Sequence, residues 1–500
     1  MITISKRNES FLYVYGDQED LLTIKESFTR FAPNFRFNPK YKSGRWDGKI
    51  RLFNSATNTL PSGLLNKLLE YIEEAQINYT ISPEFQEELD EIDDFDEDLF
   101  QEVLDHFEET KVKKDIEQRN YQIEAAKVML RMKRGQLHHA TSSGKTFTTY
   151  LILSYLLRKN SNEQIMVVVP TLTLIHQFKS DFSDYGMDVE KLIGKFYAKE
   201  KDTTKPIVVG TWQSLQKAEE FIKKVTVVIT DENHHAKAKN IKDLMERCIN
   251  TPIRIGMSGS QHEDELDRLS VEGSFGPILS VVTSSELIEQ GYISDIEIFQ
   301  LMLEYPSQVR KDLKKLKKEK GGKKAYDEEK DIIQSSTRRR SLVKKLIEKR
   351  DSKENILLLF DELEYGESIF EELKISFPDR ICYYIAGDVD SIEREVIRVN
   401  ANNEEGVLVI ASLGTFSTGV NLPKIHIGIF LWMGKSLVRL QQSIGRGLRK
   451  HATKDKFRLF DIVDDLIYSK PHGMKRLQFY IREGFSVSQH TIGLPKNNFV

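Results

Sequence analysis

Two parallel-sheet α/β domains in tandem, preceded by a small α+β domain, are the fold that this sequence predicts. Three observations carry the prediction. The chain has 500 residues, more than one hydrophobic core supports, so it divides into domains. From about residue 111, short β-branched runs ("IMVVVP", "PIVVGT", "VTVVIT" and "PIRIGMSG") alternate with longer helical stretches. A second series follows: "NILLLF", "ICYYIAG", "GVLVIAS" and "IHIGIFLW". Continuous apolar strands interleaved with helices belong to parallel sheets covered on both faces, whereas a sheet wet on one face alternates polar and apolar residues. No repeat of solenoid length interrupts the pattern.

In chain order, residues 1–83 mix strand-like runs ("FLYVYG", "KIRLFN") with amphipathic stretches, the pattern of a small α+β domain. Residues 84–110, "EFQEELDEIDDFDEDLFQEVLDHFEET", are dominated by acidic side chains and read first as a charged connector. Leu, Phe and Val recur there at loose helical spacing. The two α/β domains are expected over 111–292 and 293–470, with 471–500 as a C-terminal extension. Between the two strand series lies "VRKDLKKLKKEKGGKKAYDEEKD", Lys-rich with a Gly-Gly break, which reads as an exposed insertion.

The net charge of -3 hides this segregation of acidic and basic blocks, so a polyanionic partner is not excluded. Cys248 and Cys382 have no metal-like or redox spacing and read as buried thiols of a reducing compartment. The start "MITISKRNES" lacks the apolar core of a signal peptide, and the longest apolar runs are too short to span a bilayer. A cytoplasmic protein is expected, with no membrane partner.

The chemistry begins at "HHATSSGKT", which follows a strand-like segment and opens the helical run "FTTYLILSYLL". The generic phosphate loop, G-x-x-x-x-G-K-[ST], has glycine where His139 stands. In this context the backbone N–H groups of Thr141, Ser142, Ser143 and Gly144 face a phosphate. Lys145 reaches the β- and γ-phosphates and the Thr146 hydroxyl ligates Mg²⁺. Alone, S-S-G-K-T is equally a simple helix start. Its partner is "VTVVITDENHH", where a buried strand ends at Asp231 with Glu232 next. A carboxylate at the C-terminal tip of a parallel strand lies in the crevice where such sheets bind ligands. Asp231 can hold Mg²⁺ and Glu232 can activate water. The third element, "QQSIGRGLRK", offers Gln442, Arg446 and Arg449 at helical spacing, and guanidinium forks match phosphate oxygens. A solvated basic helix face is the alternative reading of that run.

Together these motifs, from about residue 119 to 449, resemble a superfamily 2 helicase of the DExH type. The resemblance implies two tandem RecA-like domains, ATP as cofactor with Mg²⁺, and DNA as partner. "RNYQ" resembles the adenine-reading element, with Gln122 bonding adenine and Arg119 or Tyr121 stacking on it. "HATSSGKT" resembles motif I, which in this superfamily tolerates a non-glycine at the first position, although Ser142 replaces a middle glycine. "VVVPTLTLIHQF" resembles motif Ia, "VVGTWQSL" motif Ic, "DENH" motif II and "GMSGS" motif III. "NILLLF", "ASLGTFSTGVNLP" and "QSIGRGLR" resemble motifs IV, V and VI. The nucleic-acid contacts of the family map to Pro170, Thr171, Gln177, Thr211, Gln213, Phe360 and Thr415. Gly419 and Asn421 map to nucleotide-touching positions. Ser258 and Ser260 map to residues that link hydrolysis to domain movement, or else act as helix caps.

The segment "FRFNPKYKSGRWDGKIRLFN" interleaves Arg36, Lys40, Lys42, Arg45, Lys49 and Arg51 with Phe35, Tyr41 and Trp46, a mixture suited to phosphate contact plus stacking. Asp47-Gly48 is also a hairpin-turn signal, and Trp46 reads alternatively as core. This segment and the domains behind it resemble the UvsW-like family of phage recombination helicases. That resemblance implies remodelling of branched DNA by Holliday-junction migration and fork regression, with branched, duplex and single-stranded DNA as partners and a monomer as the expected state. The rival readings are a duplex translocase without strand separation, an RNA helicase, and a DNA-binding scaffold with a nucleotide switch. Because every ATP-site residue lies beyond Arg119, removal of residues 1–83 is expected to spare basal ATPase activity.

Overall fold

The computed structural model describes the chain except residues 91–92, 232–237, 260–263, 388, 390, 420–421, 432–433, 435–436 and 495–500. It divides into two compact units, Met1–Ala140 with Gly144–Val282, and Thr141–Ser143 with Thr283–Val500. Among the described residues no helix is long and apolar enough to cross a membrane.

The first unit contains both the N-terminal α+β region and the first parallel sheet. The N-terminal sheet has four strands in the order Thr59–Pro61, Phe11–Tyr15, Ile2–Lys6, Tyr79–Ile81. Alternation sets its inward face: Ile2, Ile4, Leu12 and Val14 are buried. A two-stranded ribbon, Thr29–Phe31 with Lys49–Arg51, stands apart from it. The larger sheet has eight strands in the order Glu200–Lys201, Ile193–Tyr197, Ile207–Thr211, Ile165–Val169, Val227–Thr230, Ile253–Ser258, Arg134–His139, Ile278–Val282. Glu200–Lys201 pairs antiparallel, and every other pairing is parallel.

The acidic stretch 84–110, expected as a connector, is largely packed helix. Asp96 caps the helix Glu97–Thr110 by accepting from the Leu99 N–H at 3.0 Å. Phe100, Val103, Leu104 and Phe107 recur at one-face spacing and are buried in the core of the large sheet. The carboxylates face outward: Glu97 pairs with Lys127 and Arg131, and Asp94 with Lys133 and Lys159.

The N-terminal region is fused to the large sheet by close packing. A Cβ on Gly63 would lie 2.1 Å from the Glu272 carbonyl oxygen, so this position requires glycine. Leu266 and Leu269, on the helix Glu265–Phe275, belong to the N-terminal core. The buried Arg254 guanidinium donates to the Ser10 hydroxyl at 2.9 Å, the Thr251 carbonyl at 2.9 Å and the Cys248 carbonyl.

The second unit is a seven-stranded, all-parallel sheet in the order Cys382–Ile385, Leu408–Ser412, Asn355–Phe360, Ile425–Phe430, Lys456–Asp464, Asp295–Leu303, Ser486–Ile492. Residues 471–500, expected as an extension, therefore supply an edge strand of this sheet and most of the helix Ser469–Arg482. The Lys-rich insertion is a helical hairpin, Ser307–Lys320 and Gly322–Ser335, that turns at Gly321 with φ 88°.

Candidate nucleotide site and nucleic-acid surface

Parallel pairing brings the first unit's motif residues to one edge of its large sheet. Thr211 is in register with Val169, Thr230 with both Val168 and Gly256, and Ser258 with His138. The strands before Ala140, Pro170, Asp231 and Gly259 thus end side by side, at the carboxyl edge where open α/β sheets bind ligands. Ser258 is fully buried at the end of its strand. Glu232 and Ser260 lie outside the described residues.

The loop after His139 has the backbone of a phosphate cradle. Ser142 has φ 71° and Gly144 φ 80°, both left-handed. Ser142, which replaces the family's middle glycine, nevertheless keeps a glycine-like conformation. Such backbone costs about 1–3 kcal/mol in a non-glycine residue and collects at functional sites. Gly144 starts the helix Lys145–Lys159 without a side-chain cap, so the positive helix end is left to other acceptors. Lys145, 8% exposed, donates its ammonium to the His139 carbonyl at 3.1 Å. Thr146 is the second residue of that helix, in its first turn.

His139 itself is structural. Its ring is fully buried, Nε2 lies 2.9 Å from the Ser280 hydroxyl, and burial pushes its pKa down to about 3, so the imidazole is neutral. A glycine is unnecessary here because the side chain packs under the sheet edge while the carbonyl serves Lys145.

The run expected to read adenine is tied to the same loop. Gln122 is buried; it accepts from the Arg119 N–H at 3.2 Å and donates to the Gly144 carbonyl at 3.4 Å. Arg119 donates to the Tyr121 hydroxyl at 3.1 Å. Arg119, Tyr121 and Gln122 therefore form one cluster against the loop.

In the second unit, Gln442 is buried and Arg446 half-buried on the helix Leu437–Gly447, with the half-buried Arg449 just beyond it. Gly419 ends the helix Leu413–Gly419, and Asn421 lies outside the described residues. Thr415 is held by a turn, its N–H and hydroxyl both bonded to the Ser412 hydroxyl. Phe360 requires a correction. Its ring is fully buried, stacks 5.7 Å from Tyr384 and fills the space where a Cβ on Gly366 would come within 2.3 Å, so it packs the core and is not open to a nucleic-acid strand.

Among the expected nucleic-acid contacts of the first unit, Pro170, Thr171, Thr211 and Gln213 share the carboxyl edge of two adjacent strands. Thr171 caps the helix Leu172–Asp184 by accepting from the Leu174 N–H, and Gln177 is half-buried on that helix. Thr211 donates to the Ser214 hydroxyl at 3.1 Å.

In the N-terminal ribbon, Lys40, Lys42 and Arg45 are exposed, the two lysines on the short helix Pro39–Lys42. Gly48 has φ 78° at the turn, and Trp46 donates its indole N–H to the Lys49 carbonyl at 3.0 Å, bracing the ribbon instead of filling a core. Phe31, which sequence reasoning passed over, is more than half exposed, stacks on Phe35 at 4.5 Å and lines a 480 Å³ cavity with Lys25, Arg30, Lys49 and Arg51. Its signal was available, an aromatic residue directly after Arg30, but it lies four positions before Phe35, where the stretch that carries most of the charge begins.

The polar groups fit a polyphosphate. The buried hydroxyls of Thr141, in the loop, and Thr230, before Asp231, have no hydrogen-bond partner among the described residues. With an uncapped helix end and a buried ammonium, they supply donors of the kind that phosphate oxygens satisfy.

Comparison with known proteins agrees with this arrangement. Residues 2–82 match the family model "DNA helicase UvsW, N-terminal", and residues 115–262 match "Type III restriction enzyme, res subunit". The chain is 31% identical over 494 residues to the ATP-dependent DNA helicase uvsW of Enterobacteria phage T4, covering 94% of this chain and 95% of that protein. The crystal structure of T4 UvsW superposes with a TM-score of 0.51 at 28% identity, covering 98% of this chain and 99% of that one. The ATP-dependent DNA helicase RecG of Aquifex aeolicus is 26% identical over 368 residues, which is 70% of this chain and 42% of that protein.

Proposed function

Because the chain belongs to the UvsW family of ATP-dependent DNA helicases, we propose that it uses ATP hydrolysis to remodel branched DNA, migrating four-way junctions and regressing forks. The observation that carries the reading is the loop from Ala140 to Lys145. It combines left-handed backbone at Ser142 and Gly144, an uncapped helix start and a buried lysine at the carboxyl edge of a parallel sheet.

In this reading the loop N–H groups and Lys145 hold the β- and γ-phosphates. Gln122 reads adenine, and its bonds to Arg119 and Gly144 transmit base recognition to the phosphate loop. Thr146 and Asp231 hold Mg²⁺, whose chemistry is to neutralise phosphate charge. Glu232 orients and deprotonates the attacking water. Arg446 and Arg449 supply guanidinium charge to the transferring phosphoryl group, with Gln442 beside them. Thr171, Thr211, Gln213 and Thr415 grip phosphates without reading bases, and the protein acts as a monomer.

The test compares ATPase stimulation by single-stranded, duplex and four-way DNA, alongside ATP-dependent conversion of a four-way junction to forked products. Junction conversion with the strongest stimulation by branched DNA is expected. Translocation along flat duplex without junction conversion would replace the reading with that of a duplex translocase, and stimulation by RNA alone would replace it with that of an RNA helicase.

A further inference from the structure

The Lys-rich helical hairpin of the second unit takes no part in the ATP chemistry, yet it is built with care. Its stretch "RKDLKKLKKEKGGKK", Arg310 to Lys324, holds nine basic and two acidic residues, and its eight lysines are all exposed. On the helix Ser307–Lys320, Leu313 is buried with Ile333 and Leu466, and Val309 packs against the same cluster. At 100° per residue, Lys311, Lys314, Lys315 and Lys318 fall on the opposite, outward face. They span about 10 Å at 1.5 Å per residue, roughly three base pairs of duplex at 3.4 Å each.

Lys317, Lys318 and Lys320 suit the C-terminal end of their helix, but much of the remaining charge works against the helices. Like charges three and four residues apart repel along the outward face. Lys323 and Lys324 stand in the first turn of Gly322–Ser335, where the helix macrodipole disfavours cations. A solvated surface would be as well served by mixed charge.

The hairpin is also held in place. The buried Glu329 carboxylate accepts from the N–H groups of Tyr468, at 2.9 Å, and Ser469, at 2.7 Å. The Tyr468 hydroxyl donates to the Gly322 carbonyl at 2.8 Å, pinning the turn, and Arg310 pairs with Asp465 at the base. The lysines are thus presented on an anchored scaffold, which suits a partner of fixed charge spacing.

The aromatic residues identify that partner further. Proteins that hold single strands stack bases on exposed rings. Here Tyr326 and Tyr305 are half-buried in the seam, and Tyr305 donates to Asp464 at 2.9 Å. The exposed face offers ammonium groups without a stacking platform, the composition of a surface that meets phosphates alone.

We propose that the outward face of this hairpin is a second, sequence-independent docking surface for the phosphate backbone of duplex DNA. The proposal rests on the reading of the chain as a DNA-remodelling motor, and names where that motor holds a duplex arm.

The experiment uses the full-length protein with Lys311, Lys314, Lys315 and Lys318 all changed to Gln, and a companion with all four changed to Arg. Binding to a plain duplex and to a single strand is measured across a salt series, together with ATPase stimulation by each. Each lysine that neutralises a phosphate contributes about 0.9 to the slope of log K against log salt. The Gln variant should lose about 2–4 from the duplex slope and need more duplex for half-maximal ATPase stimulation. Its basal ATPase and its stimulation by single strands should be unchanged, and the Arg variant should keep the duplex slope of the unaltered protein. Equal duplex slopes for the Gln variant and the unaltered protein would overturn the proposal. So would a loss as large on single strands as on duplex, or a loss shared by the Arg variant, which would point to damaged structure. Failure of the unaltered protein to respond to any DNA would instead overturn the functional reading beneath it.

Discussion

The two units bury their arginines in different ways. In the first, Arg254 is spread over backbone carbonyls and the Ser10 hydroxyl, and burial pulls its guanidinium down to about 9. Arg134 is likewise pulled down by burial, to about 10, with Glu9 partly offsetting the effect. Lys145 is buried with its ammonium on a carbonyl. In the second unit each fully buried arginine has its own carboxylate: Arg339 pairs with Asp464, and Arg476 with Asp461 at 2.8 Å. Burial opposes the charge of both, yet the aspartates outweigh it and raise both above the ordinary arginine value. A cation on neutral acceptors can be offered to an incoming anion or used as a staple, whereas a cation matched to a carboxylate is committed to the core.

The sharpest break of this contrast is Lys145→Ala, which should abolish hydrolysis if, as proposed, its ammonium holds the β- and γ-phosphates. Glu232→Gln should keep ATP binding and lose turnover. Near-normal ATPase in either variant would remove that residue from the site. Next, Arg446→Ala and Arg449→Ala should leave the fold intact and cut hydrolysis strongly, since arginine fingers are worth on the order of 10³–10⁵ in rate. A loss below about tenfold for both would mean that the second unit supplies no catalytic charge.

Removing residues 1–83 should now destabilise the first unit, contrary to what the sequence alone led us to expect. The deletion would bare Leu266 and Leu269 and strip Ser10 from the buried Arg254. The measurement is soluble yield and melting of the truncated chain beside its ATPase. A soluble, fully active fragment would show that the fusion is not needed for folding. For testing the ribbon as a DNA reader, Lys40→Ala, Lys42→Ala and Arg45→Ala together are the better instrument, because those side chains are exposed.

Matched and unmatched arginines should also differ in their response to loss of a partner. Asp464→Ala strands a buried guanidinium and should cost about 3–5 kcal/mol, whereas Ser10→Ala removes one neutral acceptor of several and should cost about 1–3 kcal/mol. Equal losses in denaturant unfolding would erase the distinction. A pH-dependent effect concerns Lys454, which donates to the Pro423 and Gly447 carbonyls and is pushed down to about 7 by burial, with Arg449 adding repulsion. The unfolded chain binds this proton up to the ordinary value of 10.5, so the contribution is lost progressively as pH falls from 10.5 towards 7 and is flat below. Lys454→Met should remove that slope from stability curves measured over this window.

Much of the site was legible because it is written in short, local terms. S-S-G-K-T and D-E-N-H each follow a strand-like run, which reads as a buried strand when bounded by turns, and Q-x-x-G-R-x-x-R places its polar groups at helical spacing. Other features were hidden in the composition. The helix Glu97–Thr110 looked like a connector because its carboxylates outnumber the four apolar residues that bury it. Phe360 looked like a contact residue because motif position is one-dimensional and says nothing of which face of the strand a ring occupies.

By itself the sequence determined the alternation of strands and helices and the two-sheet α/β class, and it nominated the candidate nucleotide-site residues, because each rests on neighbours within a few positions. Only the tertiary structure decided that the N-terminal region is fused to the first sheet, that Ser486–Ile492 completes the second, and which buried arginines are matched. Those outcomes depend on close approach between residues far apart in the chain: Gly63 against Glu272, Ser10 against Arg254, Arg339 against Asp464. Burial makes such contacts energetically large, and no local pattern of residues records them.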